Sequence, residues 1–128
     1  MATKKTPQPT NAELEILRVL WQRGPSTVRQ VMESLSDERP MGYTTVLKFM
    51  QIMTDKGLLA RDERQKTHIY RARATADKTR RQLVNNLVDR AFEGSAQKLV
   101  MQALSAKKVS AEELAEIREL LDEIEGET

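Results

Sequence analysis

The residues best equipped for chemistry lie between positions 39 and 54, a stretch without a single aspartate or glutamate. Thr44, Thr45, Lys48 and Gln51 fall there, with Tyr43, Leu47 and Ile52 beside them. Gln pairs bidentately with adenine, Lys reaches guanine acceptors or a phosphate, and a Thr methyl or Leu47 can touch a thymine methyl. If a helix starts at Tyr43, its first free N–H groups, near Tyr43 and Thr44, also face a phosphate well. This chemistry is recognition of a polyanion, not bond breaking. A plain solvated helix face explains lone Thr, Lys and Gln residues equally well. Leu47 and Ile52 weigh against that, because a solvated face normally carries charge, and they leave a protein contact open as an alternative.

A second group of cations follows: Arg61, Arg64, Lys66 and Arg71, with Arg73 just after. Arg64 and Lys66 sit around a polar turn, where they are expected to touch sugar-phosphate and add affinity without sequence information. Basic residues also blunt exposed strand edges, and Asp62 and Glu63 favour that plainer role for part of the segment.

Other chemistries find little support. There is no cysteine and one histidine, His68. A thiolate site, a disulfide framework and a cysteine nucleophile are therefore excluded, and a lone strand histidine reads as a surface or backbone-contact residue. Glu112-Glu113 and Asp122-Glu123 are adjacent on a helical pattern, where neighbours do not face each other, so they are solvated acids rather than acid/base pairs. The methionines fall mostly on apolar stripes and read as core filling. No catalytic residue, metal ligand or cofactor is expected.

The elements that must position these groups are legible from periodicity. Thr10 with Glu13 forms a capping box, and Leu14, Ile16, Leu17, Leu20 and Trp21 follow until Gly24-Pro25. Thr27 with Gln30 opens a second helix with Val28, Val31, Met32 and Leu35. After Asp37-Glu38-Arg39-Pro40 a third helix runs from Gly42 or Tyr43 to Lys56, burying Val46, Phe49, Met50 and Met53, with Gly57 placed to end it. Residues 58–64 and 68–72 read as two extended runs around a polar turn. Three helices followed by a hairpin is the winged helix-turn-helix order, in which the third helix enters the major groove and the hairpin lies along the backbone.

From Thr75 the pattern is helical again, in three stretches broken at Gly94-Ser95 and before a capping box of Ser110 with Glu113. The expectation is a mainly α chain with a small β-hairpin: a winged helix-turn-helix domain over 10–74 and a C-terminal helical dimerisation domain over 75–128. About 50 residues make a poor independent core, so Leu83, Leu87, Val88, Phe92, Leu99, Val100, Leu114, Ile117 and Leu121 are expected to pair with a second copy. The alternative is an arm folded back on its own winged domain.

Composition agrees. Of 128 residues 31% are charged, above the roughly 25% of an average domain. Five aromatic residues are too few for a single-strand stacking platform. The net charge of +2 is unevenly placed: residues 1–74 carry +5 and residues 75–128 carry −3. No apolar run is long enough to span a membrane. The first nine residues lack an apolar signal core and read as a disordered arm, and a cytoplasmic location fits.

The run 11–21 (NAELEILRVLW), the run 26–31 (STVRQV), Gly42 to Met50 (GYTTVLKFM) and Asp55 to Leu59 (DKGLL) together resemble the BlaI/MecI penicillinase-repressor family. The resemblance covers essentially the whole chain after the arm. It implies a homodimeric repressor of a double-stranded DNA operator, with operator contact carried onto Thr44, Thr45, Leu47 and Lys48. It also implies release from DNA when a membrane-embedded sensor metalloprotease triggers cleavage in the dimerisation arm. Better-studied members are cut at an Asn–Phe bond, and the matching pair here is Gln102-Ala103. The copper-responsive relatives carry a C-terminal cysteine cluster that this chain lacks. A winged-helix protein-interaction module and a small-ligand-gated regulator remain the rival readings.

Overall fold

A computed structural model describes residues 8–35 and 37–127. The expected arm over 1–9 falls outside the described residues for positions 1–7. The described chain has the order α1 (Asn11–Arg23), α2 (Val28–Ser34), α3 (Tyr43–Asp55), β1 (Leu59–Asp62), β2 (Ile69–Ala72), α4 (Ala76–Ala91), α5 (Ala96–Ala106) and α6 (Ala111–Glu127). It is a winged helix-turn-helix followed by a helical C-terminal part.

The three helix starts for which the sequence announced a capping box, those of α1, α2 and α6, are built by that box. Thr10 Oγ1 accepts from Glu13 N while Thr10 N donates to the Glu13 carboxylate. Thr27 with Gln30, and Ser110 with Glu113, repeat this reciprocal arrangement. Each box satisfies two backbone donors that the first turn would otherwise leave unpaired. At the end of α3, Gly57 adopts φ +88, which a Cβ would strain. Gly57 N donates to Thr54 O and Leu58 N to Met53 O, so the chain reverses directly into β1.

The core lies where α1, α2, α3 and the hairpin converge. Ile16, Val31, Val46, Met50 and Met53 are fully buried, and Leu59 and Tyr70 nearly so. Phe49, expected inside, is only half-buried, as is Leu47, expected outside; both pack against the edge of this core. The apolar face of α3 is therefore rotated slightly from the one its spacing suggested. β1 and β2 pair antiparallel, with Leu59 opposite Ala72 and Arg61 opposite Tyr70. Ser26, between α1 and α2, adds a short third strand: its N–H donates to Tyr70 O at 2.9 Å and its carbonyl accepts from Tyr70 N at 2.8 Å. Trp21 Nε1 donates to Ala74 O at 3.0 Å, satisfying the indole N–H where the hairpin leads into α4.

By packing, the described chain divides into two units, one ending at Val84 and one starting at Asn85. The division falls inside α4, later than the change of element type at 74/75. In α5 and α6 no residue is buried.

Candidate nucleic-acid interface

The candidate interface is built on α3. Its inner face, Val46, Met50 and Met53, is locked into the core, and this holds the opposite face outward. Tyr43, Thr44, Thr45, Lys48, Gln51 and Ile52 are all exposed. Tyr43 and Ile52 keep 47% and 41% of their surface, large values for such side chains on a charged protein. The N-cap of α3 is Gly42, which makes no side-chain cap bond. Unlike α1 and α2, this helix therefore begins with no side chain of its cap residue covering its first N–H groups.

Of the residues expected to touch DNA, Tyr43, Thr44, Thr45, Lys48 and Gln51 share the exposed ridge of α3. Leu47 does not stand on its crest. It is half-buried at the edge of the core and lines an open groove of about 460 Å³ between α3, the start of α2 and the hairpin tip. A Leu47 contact with a base is thus limited to the part of the side chain facing this groove.

The hairpin distributes its charge differently from the sequence expectation. Arg64 folds back on Asp62, with Nη2–Oδ2 at 2.7 Å and Nε–Oδ1 at 3.0 Å, while Arg64 N also donates to the same carboxylate. This fork of donors holds the Asp62 carboxyl down at about 2. Arg61 Nη2 lies 2.6 Å from Glu63 Oε1. Two of the cations are thereby partly neutralised by neighbours. Lys66, at the turn, is exposed and has no ion-pair partner among the described residues. Arg29, which the linear pattern did not single out, and His68, read there as a surface or backbone-contact residue, line the same groove as Lys66 and Tyr43. No motif marks them; they come together only because α2 and β1 both pack against α3 and β2, with His68 just before it, pairs with β1.

One family model, described as penicillinase repressor, matches residues 9–123. The chain belongs to the penicillinase repressor family. It is 23% identical to the penicillinase repressor of Bacillus licheniformis over 120 residues, 94% of each chain. It is 32% identical to the transcriptional regulator BlaI of Mycobacterium tuberculosis over 116 residues, 89% of this chain and 83% of that one. The methicillin resistance regulatory protein MecI of Mammaliicoccus sciuri matches at 20% over 92% of this chain and 96% of its own. These relatives are transcriptional regulators, and membership of the penicillinase repressor family supports a repressor role. The matched region spans both the winged module and the C-terminal helices of this chain.

Among the described residues, no group of three or more His, Asp or Glu side chains is arranged to hold a metal ion. Among the described residues, no helix is long and apolar enough to cross a membrane.

Most of the expected dimerisation residues carry apolar surface. Leu87, Val100 and Leu121 are 44–50% exposed, and Leu83, Phe92, Leu99, Leu114 and Ile117 are half-buried. Val88 is the exception, with 9% exposed. Met101, Leu120 and Ile124, absent from the expected set, are among the most exposed apolar residues. Gln102 and Ala103 lie where the second turn of α5 passes into the third, both exposed.

Proposed function

We propose that this chain is a dimeric transcriptional repressor that binds a palindromic operator in double-stranded DNA. The observation that carries this reading is the acid-free outer ridge of α3, with Tyr43, Thr44, Thr45, Lys48 and Gln51 exposed while Val46, Met50 and Met53 anchor the helix. Lys48 and Gln51 read base edges, Thr44 and Thr45 bond bases or phosphates, and Lys66 with Arg64 follows the backbone. The winged module is residues 10–74 and the dimerisation arm is residues 75–128. The apolar surface left open on α5 and α6 supports pairing with a second copy, since exposed apolar area on this scale marks an interface. A twofold pair spaces two recognition helices by a whole number of DNA turns.

Induction by a membrane sensor metalloprotease is the release route that family resemblance supports, with Gln102-Ala103 in the arm as the candidate cleavage segment. The exposure of that segment is compatible with access, although a regular helix must first unwind to enter a protease. Cytoplasmic residence goes with this role.

The test is footprinting on the region upstream of the chain's own gene, with affinity measured over a salt series. Specific protection of two half-sites, weakening steeply as salt rises, is the expected result. Absence of binding, or tight binding insensitive to salt, rejects the repressor reading.

A further inference from the structure

The groove beside α3 brings together three basic side chains of the winged module that are unpaired among the described residues, Arg29, Lys66 and His68. Its floor is apolar: Val28 and Tyr70 are buried and Leu47 half-buried. Its rim is polar and carries Arg29, Lys66, His68 and the Tyr43 hydroxyl. No carboxylate lines it. Among the described residues Arg29, Lys66 and His68 make no ion pair, whereas Arg61 and Arg64 on the same hairpin are held by Glu63 and Asp62. An apolar floor under an unpaired cationic rim matches the two halves of a nucleotide backbone unit. Deoxyribose is largely apolar, and its phosphate is anionic with acceptor oxygens only.

We infer that this groove seats one sugar–phosphate unit of the DNA strand passing between α3 and the hairpin, and that Arg29 and His68 are DNA-backbone contacts. The inference rests on the DNA-binding reading and adds a specific seat to it. The sugar packs chiefly on the half-buried Leu47, since Val28 and Tyr70 leave only 6% and 1% of their surface open at the floor. The phosphate takes N–H donors from Arg29 and Lys66, the Tyr43 hydroxyl, and a ring N–H of His68. Tyr43 and Leu47 belong both to this groove and to the first turns of α3. A strand seated there therefore fixes how far α3 enters the major groove, which is how backbone contacts set register.

The test uses the full chain and duplexes tiling the region upstream of its own gene, followed by fluorescence anisotropy at several salt concentrations. Arg29→Ala is expected to weaken binding about three- to tenfold, and the slope of log K against log salt should fall by about 0.9, one phosphate contact. His68→Ala should weaken binding as well, through loss of one ring N–H donor to the phosphate. Arg18→Ala, at a separate surface hollow beside Asn11 and Glu15 and outside the groove, should match wild type. Replacing phosphates one at a time with methylphosphonates should find a position at which wild type loses affinity and Arg29→Ala loses nothing further. Wild-type affinity and slope in Arg29→Ala overturn the seat while leaving operator binding intact. A His68 ring resonance that shifts with inorganic phosphate but not with duplex also overturns it, in favour of a small-anion site. Failure of the wild-type chain to bind any duplex is instead a failure of the DNA reading.

Discussion

Lys56 Nζ lies 2.9 and 3.0 Å from the two carboxylate oxygens of Glu13, joining residues 43 apart in sequence. The same carboxylate accepts from Thr10 N at 2.8 Å. Glu13 therefore does two things: it completes the cap of α1 and ties the C-terminal end of the recognition helix to that cap. Its side chain is 3% exposed and that of Lys56 30% exposed. A carboxylate so covered is stable as an anion only while its donors remain.

Glu13→Ala should therefore destabilise the protein by about 2–3 kcal/mol, toward the lower end for a broken buried pair because Lys56 retains solvent. Lys56→Met should be comparably harmful, since it strands the carboxylate. Urea denaturation of both single variants and the double variant measures this. If the double variant loses the sum of the two single effects, the coupling is absent.

The pH dependence follows from two carboxylates. Burial pushes the Glu13 carboxyl up, but the Lys56 ammonium and the Thr10 hydrogen bonds outweigh it, leaving it below its ordinary 4.5. Asp62 is lowered from 3.8 to about 2, chiefly by Arg64. A lowered folded-state value means the contribution is complete above the unfolded value and fades as pH falls through the folded one. The thermal midpoint should drop below about pH 4.5, and Glu13→Gln should flatten part of that drop. A wild-type profile unchanged from pH 5 to 3 would contradict the assignment.

On α3, Lys48→Ala should weaken operator binding by about 1–3 kcal/mol if the ammonium reads a base, and should relax preference at one position. If it meets only phosphate, the loss is uniform across sequences. Binding to a systematic set of single-base operator variants distinguishes the two.

The pairing of Arg64 with Asp62 predicts an inversion of naive charge counting. Asp62→Asn releases Arg64 and removes a negative charge from the hairpin tip, so DNA affinity at low salt should rise. Arg64→Ala should reduce affinity less than Lys66→Ala. Equal losses for the two cations would show that Arg64 abandons Asp62 on the duplex.

In the arm, Leu121→Asp places a charge on an apolar surface that is half exposed in one chain. A dimer dependent on that surface should become monomeric by sedimentation, with helical content retained and operator affinity lost. A variant that remains dimeric moves the interface elsewhere.

Gly57→Ala tests the turn from α3 into β1. At φ +88 an added Cβ is strained although only Arg73 Nη1 lies near it, at 3.9 Å. Stability should fall by about 1–2 kcal/mol from backbone strain alone, read as a lower urea midpoint with an unchanged m value.

Local rules sufficed for much of this protein. The three capping boxes, the end of α3 at Gly57 and the order of three helices and a hairpin depend on interactions within a few residues, so the linear pattern carries them. The outward ridge of α3 was equally legible, because hydrophobic period alone decides which side of a helix is buried. Tertiary packing decided the rest. Leu47 and Phe49 exchange their expected weight because the precise rotation of α3 is set by Met50, Met53 and Tyr70 filling one shared core. Ser26 becomes a strand only by meeting Tyr70, and Glu13 acquires its second role only when Lys56 arrives beside it. The pairing of Arg64 with Asp62, and the meeting of Arg29, Lys66 and His68 around one groove, are likewise distances between side chains. Spacing along a chain specifies which face a residue occupies; only the packed fold specifies which charges are left free.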